Sequence, residues 1–337
     1  MREALFWDKL PEHKVQCRLC RFRCRIPAGG RGRCRVRENR DGVLYSLVYG
    51  RAIAEAVDPI EKKPLYHVLP GSRSYSIATV GCNFHCRHCQ NAAISQPTAE
   101  MVARAGFSLP PEDAVERAVA EGCASIAYTY TEPTVFFEYA WDTARIARKR
   151  GLKNVFVTNG YTSEEALTAI APDLDAANVD LKFFSDATYR DVTGGELEEV
   201  LATLRVYKKL CIWLEITTLI IPGLNDGAQD LGAIARFIVG ELGPDTPWHV
   251  TAFYPTYRML DRPRTPAATL RRAREIGIGA GLRHVYVGNV AGGEGDNTFC
   301  PTCGKTVIER SGFFLRGTRP AQGRCGFCGE ALAGVWK

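Results

Sequence analysis

Between residues 74 and 290, short runs rich in Val, Ile and aromatics alternate with amphipathic helical patterns. No other feature limits the fold as much. Strands are predicted at 75–80, 125–130, 154–158, 177–183, 213–221, 248–254 and 284–287. Helices are predicted at 111–121, 133–150, 163–170, 196–209, 231–242 and 266–277. The helical pattern at 133–150 stops at Gly151, and Ser163 precedes two glutamates as a capping signal. Strict alternation calls for parallel strands with right-handed crossovers. Six or seven such units predict an α/β fold, an incomplete (β/α)6-type TIM barrel. Its functional residues are expected at the C-terminal strand ends.

The chain has 13 cysteines among 337 residues, and eleven fall in three tight groups. The N-terminus carries charges where a secretion signal needs an apolar core, and no apolar run approaches the roughly 20 residues that span a bilayer. A cytoplasmic protein with no membrane contact is expected. Grouped C-x2-C spacings in that setting argue for metal binding over disulfides. Cys123 and Cys211 stand alone and are expected to be buried filler.

Three regions follow. Residues 1–73 form an N-terminal Cys-rich metal module with a hairpin signalled by Asp41-Gly42. Residues 74–291 form the partial barrel. Residues 292–337 form a C-terminal four-cysteine unit of rubredoxin or zinc-ribbon type, joined by the flexible polar stretch Gly292-Gly293-Glu294-Gly295-Asp296. In that unit Cys300-x2-Cys303 and Cys325-x2-Cys328 make two knuckles for one tetrahedral zinc or iron. In the first module Cys17-x2-Cys20-x3-Cys24-x9-Cys34 fits a zinc staple or an iron–sulfur cluster. A core-poor segment that needs a fold-forming metal favours zinc.

The net charge of +6 is concentrated at the start: residues 1–40 hold 12 Lys/Arg against 4 Asp/Glu, leaving 31 against 33 elsewhere. Arginines beside thiolates offset negative charge. A metal-stapled nucleic-acid-binding protein is the reading from another class, with a steep salt dependence of binding.

The segment with most chemistry is Gly81-Cys82-Asn83-Phe84-His85-Cys86-Arg87-His88-Cys89-Gln90-Asn91, just after the first predicted barrel strand. Three thiolates hold three irons of a four-iron cluster and leave the fourth open for chemistry. A zinc site would need His85 or His88 as a fourth ligand.

This C-x3-C-x2-C loop after the first strand resembles the radical S-adenosylmethionine (SAM) superfamily. Within it, the Cys82–Asn91 run is similar to the pyruvate formate-lyase activating enzyme branch, and more closely to the radical SAM member of the AmmeMemoRadiSam system. Supporting segments are Asp58-Pro59-Ile60-Glu61-Lys62-Lys63-Pro64-Leu65-Tyr66-His67, Tyr130-Thr131-Glu132-Pro133-Thr134 and Ile221-Pro222-Gly223-Leu224-Asn225-Asp226.

The resemblance implies that Cys82, Cys86 and Cys89 bind a [4Fe–4S] cluster whose open iron chelates SAM. One-electron reduction then gives a 5′-deoxyadenosyl radical, which abstracts hydrogen from, or adds to, an unidentified substrate. It also implies a glycyl-radical activase as a narrower alternative, a flavodoxin or ferredoxin as electron donor, and AMMECR-type and Memo-type proteins as functional partners. Glu132 is expected at the methionyl ammonium, or else as a helix N-terminal charge. The family's usual Gly-Gly-Glu is here Tyr130-Thr131-Glu132. Asn159 is expected at the ribose, or in a plain Asn-Gly turn. Asp180 and Lys182, two apart on one strand face, are expected near the methionyl end, or as a structural ion pair. His88 takes the place of the family's adenine-contacting aromatic.

Overall fold

The structure is a computed structural model and describes residues 1–290, 294–317 and 322–337. The expected joint at 292–296 therefore lies partly outside the described residues. One eight-stranded sheet organises the chain: β1 (Ala54–Pro59), β2 (Arg73–Ala78), β3 (Ser125–Tyr128), β4 (Lys153–Thr158), β5 (Ala176–Asp180), β6 (Trp213–Ile220), β7 (Trp248–Ala252) and β8 (Val285–Gly288). The strands lie side by side in chain order. β1 runs antiparallel to β2, and β2 to β8 are all parallel. β1 and β8 are edges that do not pair with each other, so the barrel stays open.

All seven predicted barrel strands are present, and each crossover carries a helix. These are α1 (Pro111–Ala120), α2 (Phe137–Lys149), α3 (Glu164–Ile170), α4 (Asp186–Thr193), α5 (Leu197–Lys209), α6 (Ala228–Phe237) and α7 (Ala267–Gly279). The Ser163 hydroxyl caps α3 by accepting from Ala166 N.

Strand alternation sorts side chains into two apolar clusters. Ile126, Phe156, Ala177, Val179, Leu214 and Ile216 join the large core under the helices. Ala127, Val155 and Ala176 face inward and pack on Ile60, Leu65 and Val68. Those three come from the connection between β1 and β2, which enters the barrel as a plug. Glu215 on β6 holds the plug by accepting from Tyr66 N (3.0 Å) and His67 N (2.8 Å), while His249 Nε2 lies 2.7 Å from the same carboxylate. Asn178 Nδ2 donates to Pro64 O at 2.8 Å.

The C-terminal unit is fastened to this plug. Leu69 N donates to Val335 O and Val335 N to His67 O, both at 2.8 Å. Arg310 is buried against Glu61 (3.4 Å), Thr298 Oγ1 (2.8 Å) and Tyr66 O (2.7 Å).

The N-terminal module docks on the opposite end through its arginines. Arg18 pairs with Glu165, Arg21 with Glu199 and Arg37 with Glu138, at 2.9, 3.0 and 3.0 Å. Part of its charge thus serves docking. The predicted hairpin forms between Arg37–Arg40 and Val43–Ser46 around Asp41-Gly42. The expectation for Cys123 holds, since it is buried, but Cys211 is exposed. Cys211 lies in the turn after α5 with φ of +57°, where the chain swings out before entering β6.

Candidate active site at the C-terminal strand ends

The loop 81–91 leaves β2 at the end of the sheet where the other C-terminal strand ends meet. Three elements clamp it. His85 N and Arg87 N donate to Thr193 O and Val192 O of α4, each at 2.9 Å. Gln96 Nε2 donates to Phe84 O at 2.9 Å. The Phe84 ring is buried against Phe22, Tyr161 and Tyr189. Gly81 has φ of +105°, and a methyl group there would sit 2.7 Å from Val36 and 3.2 Å from Cys34 O. We expect Gly81→Ala to cost about 1–3 kcal/mol and to lower iron retention, read by denaturation and iron analysis.

Cys86 is buried, and Cys82 and Cys89 are partly so. Phe84 N donates to Cys82 Sγ at 3.4 Å, and Asn159 Nδ2 lies 3.7 Å from the same sulfur. Ser95 Oγ is 3.2 Å from Cys89 Sγ. Burial pushes the Cys86 thiol up to about 12, with the Lys182 ammonium opposing it. Among the described residues, these sulfurs are not gathered within 4.8 Å as a single-ion site requires. A polynuclear cluster, whose ligands are spread further, fits the three better than one ion.

Lys182 Nζ lies 2.6 Å from Asp180 Oδ2. Burial opposes the lysine's charge, yet Asp180 and Cys86 raise its pKa above the usual range. His88 is buried, and its Nδ1 has no hydrogen-bond partner among the described residues. Burial and then Lys182 push its pKa down to about 3, so the ring is neutral. Thr217 Oγ1 is likewise buried and unpartnered, on the β6 residue paired with Asp180. Such orphaned groups facing a barrel interior suit a polar ligand.

Glu132 is fully engaged with the protein. Its Oε1 accepts from Thr134 N, Thr134 Oγ1 and Thr158 Oγ1, and Oε2 accepts from Asn159 N at 2.8 Å. It caps the 3-10 turn Pro133–Phe136 and ties the end of β3 to that of β4. Asn159 Nδ2 donates to Asn83 Oδ1 at 2.7 Å, next to Cys82. The five predicted side chains therefore surround the cysteine loop in two groups. His88, Asp180 and Lys182 lie on the Cys86 side, and Glu132 and Asn159 on the Cys82 side.

Tyr130 has φ of +64°, a backbone conformation that favours glycine. Its hydroxyl donates to Asp58, and its carbonyl accepts from Asn91 Nδ2 at 2.7 Å. Asp58 also receives Lys62 and Lys63, at 2.7 and 2.6 Å. The first of the two positions where the resembled pattern has glycine is thus a tyrosine held in a glycine-like backbone conformation.

Sequence reasoning missed Asn225 as a positioning residue. Its Nδ2 donates to Lys182 O (2.7 Å) and Leu219 O (2.9 Å), and its Oδ1 accepts from Ile221 N (2.6 Å). The signal was available, because Asn favours such turns. Asn225→Ala is expected to cost about 1–3 kcal/mol through the buried groups it orphans, measured by urea denaturation.

The family model described as Radical SAM superfamily matches residues 76–238. A relative of 47% identity spans 98% of this chain and 99% of its own length. That relative is an uncharacterized protein of Methanocaldococcus jannaschii. Residues 76–238 of this chain belong to the radical SAM superfamily. The isethionate sulfite-lyase activating enzyme of Nitratidesulfovibrio vulgaris is 32% identical over 35% of this chain and 39% of its own. Among solved structures, a radical SAM methyltransferase from Sphaerobacter thermophilus superposes with a TM-score of 0.51 at 16% identity, covering 70% of this chain and 71% of that one. At that identity it shows the shared fold, and the radical SAM family match implies a [4Fe–4S] cluster and SAM. No helix among the described residues is long and apolar enough to cross a membrane.

The C-terminal quartet has a different geometry. The ligand atoms of Cys300, Cys303, Cys325 and Cys328 all lie within 4.8 Å of one another. Cys300 and Cys328 are 3.6 Å apart at sulfur, and Cys303 and Cys325 are 3.7 Å apart. Four thiolates around one ion at about 2.3 Å stand roughly 3.8 Å apart. The quartet can therefore hold a single metal ion.

Proposed function

We propose that this chain is an enzyme that reductively cleaves SAM at a [4Fe–4S] cluster bound by Cys82, Cys86 and Cys89, and directs the radical to hydrogen abstraction from, or addition to, a substrate. One observation carries the reading: a superfamily member presents three cysteines and no fourth at the C-terminal end of its first parallel strand. When bound, the cluster and SAM supply one-electron cleavage of the sulfonium and a 5′-deoxyadenosyl radical.

The chain's own residues prepare the site. Lys182, pinned by Asp180 and by Asn225 through its carbonyl, places a fixed cation beside Cys86. It offsets sulfur charge there and leaves Asp180 as an acceptor for an ammonium. Neutral His88 offers a ring face and an unpaired nitrogen. Phe84 within the loop and Phe183 against His88 are buried and exclude water. Anaerobic reconstitution followed by reduction with SAM present should yield 5′-deoxyadenosine and methionine. An intact, reducible cluster that yields neither would contradict the proposal.

A glycyl-radical activase is the second reading. The partial similarity to the isethionate sulfite-lyase activating enzyme supports it. It predicts a stable glycyl radical in a partner protein, seen by electron paramagnetic resonance after mixing. The AmmeMemoRadiSam resemblance proposes AMMECR-type and Memo-type partners, testable by mixing purified proteins and measuring complex size. A flavodoxin or ferredoxin is the proposed reductant. For the C-terminal quartet we propose zinc: the site should hold one zinc by metal analysis of the full chain, whereas rubredoxin-like iron would give visible charge-transfer bands.

A further inference from the structure

The four cysteines of the N-terminal module line one cavity, together with Arg37 and Asn83. Their placement contrasts with the C-terminal quartet in the same molecule. That quartet closes to single-ion spacing, whereas Cys17, Cys20, Cys24 and Cys34 do not bring three sulfurs within 4.8 Å of one another. A lone zinc would need all four sulfurs about 2.3 Å from one point, and so roughly 3.8 Å from one another.

Two further observations point to an anion inside the cavity. Arg37 is 2% exposed and lines the cavity; its terminal nitrogens bond Glu138 and Leu5 O, but its Nε has no partner among the described residues. Asn83 is 1% exposed and lines the same cavity, and its Nδ2 is also unpartnered. Because Asn159 Nδ2 donates to Asn83 Oδ1, the amide's orientation is set, with its nitrogen left free to donate. Two buried donors without acceptors are costly. Inorganic sulfides of a cluster are acceptors for such donors, and a net-negative cluster suits a buried guanidinium. Zinc-bound thiolates would accept as well, so the donors point to a net-negative metal centre, and the sulfur spacing is what favours a cluster over a single ion.

We propose that Cys17, Cys20, Cys24 and Cys34 bind a second [4Fe–4S] cluster, with Arg37 and Asn83 donating to its sulfides. All four irons of this cluster have protein ligands, so it has no open site for SAM. The zinc staple favoured by the sequence is replaced by this reading. Asn83 directly follows Cys82, so a single residue touches both metal sites.

The test is iron, zinc and acid-labile sulfide analysis of the full chain after anaerobic purification and reconstitution. The wild-type protein should hold about eight sulfides. A Cys82→Ala/Cys86→Ala/Cys89→Ala protein should retain about four, and a Cys20→Ala/Cys24→Ala protein should also retain about four. The first variant isolates the N-terminal site from the SAM-binding proposal, since its cluster persists whatever the central loop binds. Arg37→Lys should keep the sulfide count while shifting the reduced cluster's paramagnetic resonance signal. If either variant misfolds, the wild-type count decides alone. Four sulfides with two zinc ions in the wild-type chain, or a triple variant with zinc and no sulfide, overturns the proposal.

Discussion

Cys86→Ala should leave a folded protein that neither holds the central cluster nor forms 5′-deoxyadenosine. Cys86 is the middle ligand of the three and the one whose sulfur faces Lys182. Removing it leaves two thiolates for a four-iron core, and the Lys182 ammonium beside it cannot take the place of the lost thiolate. The loop itself is held by bonds that do not involve this sulfur, from His85 N, Arg87 N and Gln96. The stability cost should therefore be modest, about 1 kcal/mol, while SAM cleavage falls to background. Circular dichroism, sulfide content and product analysis separate these effects. The nucleic-acid-binding alternative predicts the reverse, a function indifferent to Cys86.

Arg310→Met should produce the largest loss of stability, about 3–5 kcal/mol by the behaviour of broken buried ion pairs. Both side chains of the Arg310–Glu61 pair are 0% exposed. Without the guanidinium, Glu61 loses its counter-charge, and Tyr66 O and Thr298 Oγ1 lose a donor. The damage spreads to the plug, because Tyr66 and His67 are the residues that Glu215 grips. Urea denaturation measures the loss. Pairing the change with Glu61→Gln should recover part of it, since an amide in that place carries no uncompensated charge.

The barrel was legible because its strands are buried on both faces and read as runs of Val, Ile and aromatics. The plug was not. Pro59 and Pro64 interrupt the segment 58–67, which has neither helical nor strand period, and only the fold shows that it turns inward. Glu215 sits within the apolar strand β6 and gives no hint that its partners lie some 150 residues earlier. Helix α4 was missed for a local reason: Thr, Tyr and Val make a weak helical pattern. Its Ser185 cap and left-handed Gly194 were the available signals.

The cysteine loop and its five companions were legible as a group, from spacing and strand position. Their individual duties were not, since a sequence does not show which lone pairs are already taken. Glu132 illustrates this, with four bonds to three neighbouring residues. Tyr130 illustrates the converse, a residue that departs from the glycine pattern while keeping its backbone conformation.

The proposed chemistry depends on one iron of the Cys82–Cys86–Cys89 cluster being free to chelate SAM. Pulsed electron–nuclear double resonance tests this on the reduced Cys20→Ala/Cys24→Ala protein with SAM labelled by 17O in the carboxylate and 15N in the amine. Hyperfine coupling from both labels is the predicted result. A reduced cluster that shows neither coupling at saturating SAM contradicts it.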